Sequence, residues 1–274
     1  MPRFIAPTKR RETAKGHYYV DGNGDRIPGV TTILGDGLPK TALINWAANA
    51  TADYAVDNWD ALSDMPVAER LKKLQGGRYG VTDRAKRRGT EVHGYAERLV
   101  QGETVDDVPE LLRGHVEAYA RFLDQFDVQP VIVEATGVNY NVGYAGTLDL
   151  IADMTIPKVG VTRVLADVKT NEKGIYGETA LQLAAYRHFE FLLEDGAEVE
   201  MIPVERCAAI HVTSDSAELI PLTVDEQQWR DFRYAREIRR FANESRDLVG
   251  APIEPPRDTR IASIEWREQQ EVDA

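Results

Sequence analysis

The sequence predicts an α/β fold with a small mixed sheet flanked by helices. Three stretches carry that expectation. Residues 144–153 are mostly apolar, follow Gly143 and end before Pro157, which suits a strand. Residues 161–169 alternate, with Val164, Ala166 and Val168 on one face and Leu165, Asp167 and Lys169 on the other. Residues 178–194 set Leu181, Ala184, Ala185, Phe189 and Leu192 at helical spacing.

These elements bring chemistry-bearing residues together. Asp149 lies in the first. Asp167 and Lys169 project to one side of the second, and Gln182 and Tyr186 lie one turn apart on the third. A strand pair followed by a helix therefore gathers two carboxylates, an amine and two polar tips. Neighbouring carboxylates repel, so they need a cation or a shared proton. Hard oxygen ligands suit Mg²⁺ or Mn²⁺. A lysine beside such an ion stabilises charge building on a phosphate and orients an attacking water. The set fits phosphodiester hydrolysis.

Taken in order, residues 1–28 hold a basic cluster, Lys9, Arg10 and Arg11, then a hairpin turning at Asp21-Gly22-Asn23-Gly24. The cluster reads as a solvated tail or a phosphate contact. In residues 30–59, Thr31 or Thr32 caps a short turn. Pro39 and the spacing of Leu43, Trp46, Ala47 and Ala50 then predict a helix with Trp46 packed in the core. Residues 60–80 form a connector with a short helix over 65–74, broken at Gly76-Gly77. A helix from Thr82 or Asp83 to about Val100 opens with Arg84, Lys86, Arg87 and Arg88. It sets His93 and Glu97 one turn apart, with Thr90 on the same side.

An acidic loop over 101–109 precedes a helix over 109–127 marked by Leu112, Val116, Tyr119, Phe122, Leu123 and Phe126. His115 there reads as a surface or packing residue. The strand from Gln129 to Tyr140 carries Glu134 in its middle. A nearly continuous apolar strand follows at 204–213. The helix over 224–248 lines up Arg230, Arg233, Arg236 and Arg240, with Asp231 and Glu237 tempering their charge. Residues 250–274 read as a tail or an assembly arm.

The run Asp149, Asp167-Val168-Lys169, Gln182 and Tyr186, preceded by Gly89-Thr90-x-x-His93-x-x-x-Glu97, resembles the PD-(D/E)XK nuclease superfamily. The likeness is to its RecB-like and phage-exonuclease branch and covers roughly residues 83–213. The resemblance implies a restriction-endonuclease-like core over 81–249, an N-terminal helical extension over 1–80 packed on it, and a tail over 250–274. It implies Mg²⁺, with Mn²⁺ as a substitute, held by His93, Asp149, Asp167 and the Val168 carbonyl. Lys169 would act on the water, while Gln182 and Tyr186 would hold the scissile-strand phosphate or the water network. Glu97 and Glu134 would support the metal from behind or join it. The Val30-Thr31-x-Ile33-Leu34 segment with Lys40 and Trp46 also resembles that branch. DNA would be met by Lys40, Arg84, Arg87, Arg88, Arg233 and Arg240.

The implied function is a Mg²⁺-dependent deoxyribonuclease acting as an exonuclease on linear duplex or single-strand ends, in phage or prophage DNA recombination, repair or processing. A homo-oligomer or a recombination partner protein fits the same resemblance. The alternatives are a structure-specific endonuclease and a catalytically silent DNA-binding or assembly module.

Composition bounds these readings. The chain has 274 residues, 43% hydrophobic and 28% charged, which suits a globular protein. No apolar run reaches the ~18 residues of a membrane span, and the basic N-terminus lacks a secretion core, so a cytoplasmic protein is expected. The single cysteine, Cys207, excludes an intramolecular disulfide and a four-cysteine iron–sulfur cluster. A net charge of −12 argues against a general nucleic-acid coat, while local basic patches remain free to meet DNA.

Overall fold

The computed structural model describes residues 4–13, 16–77 and 79–254, with side chains described except over 79–86. The expected tail therefore lies outside the described residues from position 255 onward.

A small sheet comes first, from β1 (Lys9–Thr13), β2 (Gly16–Val20) and β3 (Arg26–Ile27). The turn between β2 and β3 is held by Asp21, whose carboxylate accepts the amides of Ile5, Asn23 and Asp25 at 2.9–3.0 Å. Helices α1 (Val30–Gly37), α2 (Thr41–Asp57), α3 (Trp59–Ser63), α4 (Val67–Gly76), α5 (Tyr79–Val100) and α6 (Glu110–Gln125) follow. The main sheet then begins with the antiparallel run β4 (Gln129–Asn139), β5 (Tyr144–Ile156) and β6 (Gly160–Lys169). Helix α7 (Glu178–Arg187) leads to the hairpin β7 (Phe191–Glu194) and β8 (Ala197–Glu200), then β9 (Arg206–Val212), β10 (Ala217–Leu222) and α8 (Glu226–Glu244).

The main sheet is mixed, with seven strands in the order β10-β9-β6-β5-β4-β7-β8. Strand β9 runs parallel to β6, placing Ile210 beside Val168 and His211 beside Lys169. Helices cover both faces. On one, Val92, Ala96 and Val100 of α5 and Leu112, Tyr119 and Phe122 of α6 pack on Leu150, Val164, Ala166 and Val168. On the other, Ile33 and Leu34 of α1, Leu183 of α7 and Phe232 of α8 pack on Tyr144, Leu148, Ile151 and Leu165. The expected alternation of β6 holds, with Leu165 on the opposite face from its neighbours. Helix α8 starts at a capping box, in which Asp225 accepts from Gln227 N–H and Gln228 reaches back to the Asp225 amide.

The structure corrects several expectations. The helix expected over 178–194 stops at Arg187, and Phe191–Glu194 is a strand. The turn signal Asp195-Gly196, with φ of 48° and 83°, closes a hairpin whose first strand pairs with the edge of β4. Leu192 is buried by that pairing and not by a helix face. Strand β10 was hidden by Pro221, which an edge strand tolerates. Residues 30–37 form a helix where a capped turn was expected. Helix α2 buries none of its residues, and Trp46 is half-buried outside every core cluster instead of being core packing. Its larger apolar residues, Leu43, Ile44, Trp46 and Val56, are spread around the helix among alanines, so no stripe forms. His115, read as a surface or packing residue, is buried, 9% exposed, in line with packing.

Candidate metal centre and active site

Strands β4, β5 and β6 meet α5 at one end of the sheet. Asp149 projects there from β5, and its Oδ2 accepts the Val168 amide at 2.7 Å. The same oxygen lies 3.6 Å from His93 Nδ1 on α5. The strand register sets Glu134 of β4 across from Asp149, between the pairs Val133–Leu150 and Ala135–Leu148. Glu134 has φ of 50°, a left-handed conformation that costs a non-glycine residue on the order of 1–3 kcal/mol. Leu148 and Leu150 pack on opposite faces of the sheet, so the side-chain alternation of β5 slips at Asp149. The kink aims both carboxylates at α5.

One donor atom from each of His93, Glu134 and Asp149 lies within 4.8 Å of the others. These three residues, with Glu97, Tyr119 and Val168, line a cavity of about 10 Å³, about the room one water-sized body needs. Glu134 thereby joins His93 and Asp149 in the group whose donor atoms are close enough to hold one ion. Glu97 shares the same cavity wall.

Asp167 sits on the α7 side, 1% exposed. Its Oδ1 accepts from Gln182 Nε2 at 2.6 Å. Its Oδ2 meets Lys169 Nζ at 2.6 Å as an ion pair, yet this buried oxygen has no hydrogen bond of acceptable alignment. The Lys169 amine also donates to Gln182 Oε1 at 3.2 Å, and Gln182 Nε2 donates to the Tyr186 hydroxyl at 3.1 Å. Gln182 and Tyr186 are 8% and 3% exposed. In this arrangement their hydrogen bonds tie them to Asp167 and Lys169.

The electrostatics reflect crowded negative charge. Burial, then the charges of Asp149 and Glu97, push the Glu134 carboxyl up to about 8. Burial and Asp149 raise Asp167 to about 6, outweighing the nearby Lys169 ammonium. Burial disfavours the Lys169 charge, but the carboxylates of Asp167, Asp149 and Glu178 together raise its pKa. One imidazole and three carboxylates, of which Asp167 has a buried oxygen lacking a hydrogen bond, are donors of the kind that fits Mg²⁺ or Mn²⁺. Asp167 lies outside the tight group of His93, Glu134 and Asp149, with its Oδ1 held by Gln182.

The DNA-contact candidates are placed as follows. Lys40 is ion-paired with Glu178. Arg87 is exposed, and Arg88 pairs with Glu172 at 2.9 Å. The Arg84 side chain lies outside the described residues. Arg233 lies over the Trp229 ring, and Arg240 is held by Glu237 and Glu244 at 2.8 and 2.7 Å.

The N-terminal sheet adds residues that sequence reasoning missed. Tyr19 hydroxyl bonds Thr147 Oγ1 and His17 Nε2, each at 2.9 Å. Thr147 is two residues from Asp149 on β5, so the hairpin stands beside the carboxylates. The pairing spans more than a hundred residues of sequence and leaves no local signal.

No protein-family model matches the chain, and comparison with curated proteins finds no match. Among the described residues no helix is long and apolar enough to cross a membrane.

Proposed function

We propose that this protein is a divalent-metal-dependent deoxyribonuclease with a PD-(D/E)XK core, acting as an exonuclease on DNA ends. The observation that carries the reading is the convergence of His93, Glu134 and Asp149 within 4.8 Å, next to the buried Asp167–Lys169 pair. Crowded carboxylates with raised proton affinities are costly unless a cation resides among them. When bound, Mg²⁺ supplies electrophilic charge for the phosphate and acidifies a coordinated water.

The protein's own residues do the rest. His93, Glu134 and Asp149 present the ligand atoms, and the Val168 amide fixes the Asp149 carboxylate. Lys169 offers a cation at the rim, 29% exposed, to orient the water and meet charge developing on the phosphate. Gln182 and Tyr186 lock Asp167 and Lys169 in place from the core. Helix α5 brings Arg87 and Arg88 beside the site for the phosphate backbone.

The test is one gel with equal amounts of linear and covalently closed circular duplex under Mg²⁺. Degradation of the linear form with the circle spared supports the reading. Equal rates on both reject exonuclease action, and no cleavage of either rejects the enzyme.

A further inference from the structure

A second feature of the surface lies away from the carboxylates. Three clefts run along α8 and the N-terminal hairpin. The largest, about 500 Å³, is lined by Arg230, Arg233, Tyr234 and Arg236. The next, about 210 Å³, shares Arg236 and adds Arg26, Arg239 and Arg240. The third, about 190 Å³, shares Arg26 and Arg239 and reaches His17 and Tyr19. Shared residues set the three side by side as a trough along α8 and the hairpin. It ends at Tyr19, whose hydroxyl bonds Thr147, two residues from Asp149.

The charge along the trough is uneven. Arg236 and Arg240 are balanced by Glu237 and Glu244, and Arg239 by Asp36. Arg26, Arg230 and Arg233 have no carboxylate partner among the described residues. Arg26 lies 4.1 Å over the Tyr18 ring, Arg233 lies over Trp229, and Arg230 reaches only the neutral Gln227. In a chain of net charge −12, three unbalanced guanidinium groups along one channel are a concentrated anion track. Tyr234, 59% exposed, and the half-buried Tyr18 add flat rings on which bases stack.

We propose that this trough holds a single DNA strand and guides it between the carboxylate site and the far end of α8. The proposal rests on the nuclease reading for what happens at the near end only. Arginines beside the open Tyr234 ring, with Arg26 stacked on Tyr18, suit an unpaired strand, because stacking needs exposed base faces.

The experiment measures fluorescence anisotropy of 5′-labelled oligo(dT) in EDTA, where no hydrolysis intervenes. The oligomers run from four to sixteen nucleotides. Affinity is expected to rise with length and level off once the strand fills the trough. Arg230→Ala/Arg233→Ala should weaken the 12-mer several-fold and flatten the slope of log affinity against log salt by about 1.4, at about 0.7 per lost phosphate contact. Arg26→Ala alone should flatten it by about 0.7. Thermal melting of each variant verifies the fold. Wild-type affinity and salt slope in folded variants would overturn the track. If wild type binds through these arginines but leaves DNA uncut in Mg²⁺, the hydrolysis reading fails and the track stands. If DNA is cut and the variants bind as wild type does, the track fails and the hydrolysis reading stands.

Discussion

Glu134→Gln should make the metal-free protein more stable while removing its response to metal. The Glu134 carboxyl is lifted from its ordinary 4.5 to about 8, first by burial and then by Asp149 and Glu97. A carboxyl with a raised folded-state pKa holds its proton in the fold and loses it in the unfolded chain. Its contribution is therefore neutral below the unfolded value, and stability falls as pH rises from about 4.5 towards 8. At pH 7.5 three units of mismatch at about 1.4 kcal/mol each set an upper bound of about 4 kcal/mol. The side chain is partly open to water, so screening reduces this to about 1–2 kcal/mol. For a chain of this size that is a melting-temperature gain of roughly 2–8 °C. The assay is thermal melting in EDTA at pH 5.0 and 7.5, taking the difference between variant and wild type so that other titrating groups cancel. The gain should appear at pH 7.5 and nearly vanish at 5.0. Mn²⁺ at a hundred times its dissociation constant should stabilise wild type by about 2.7 kcal/mol and the variant far less. A variant that melts below wild type in EDTA at pH 7.5, or gains equally at both pH values, refutes the reasoning.

Further outcomes follow from the same geometry. Lys169→Ala should cut hydrolysis by about 10²–10³-fold or more with metal-induced stabilisation retained, because the amine stabilises charge and ligates nothing; loss of that stabilisation in a folded variant contradicts the role. Gln182→Leu should also lose activity, because Asp167 and Lys169 lose their common tether; unchanged kcat removes Gln182 from the machinery. Gly137→Ala should destabilise by roughly 1–3 kcal/mol or more, since a Cβ there falls 2.1 Å from the Phe189 ring; a denaturant midpoint equal to wild type refutes it. Asp21 has its carboxyl held below the usual range, because three backbone amides and the Gly24 N–H outweigh its burial. Asp21→Asn should therefore lose stability relative to wild type above about pH 4, and the deficit should shrink as pH falls below it.

The succession of strands and helices around the site was legible, because β6 alternates strictly and α6 carries a continuous apolar stripe. Asp167 and Lys169 share a side of β6 as their spacing requires. The hairpin β7–β8 was readable from Asp195-Gly196 but was masked by the helical spacing of Leu181 through Leu192. Glu134 could not be placed from sequence, because its position depends on a left-handed backbone kink set by pairing with β5. The burial of Gln182 and Tyr186 was likewise invisible, since helical spacing gives the face and not the depth. Trp46 was misread for the opposite reason, a large aromatic on a helix without an apolar stripe to bury it. The arginine row of α8 was legible from helical spacing, but its neighbourhood with Arg26 joins residues from both ends of the described chain and leaves no local signal.

The most direct measurement is degradation of linear duplex DNA by wild type and Asp149→Asn side by side, with Mg²⁺ and with EDTA. Asn keeps an oxygen for the Val168 amide, so the fold should persist while a ligand charge is lost. The account predicts loss of the duplex only with wild type and Mg²⁺. Comparable degradation by Asp149→Asn, or by wild type in EDTA, contradicts it.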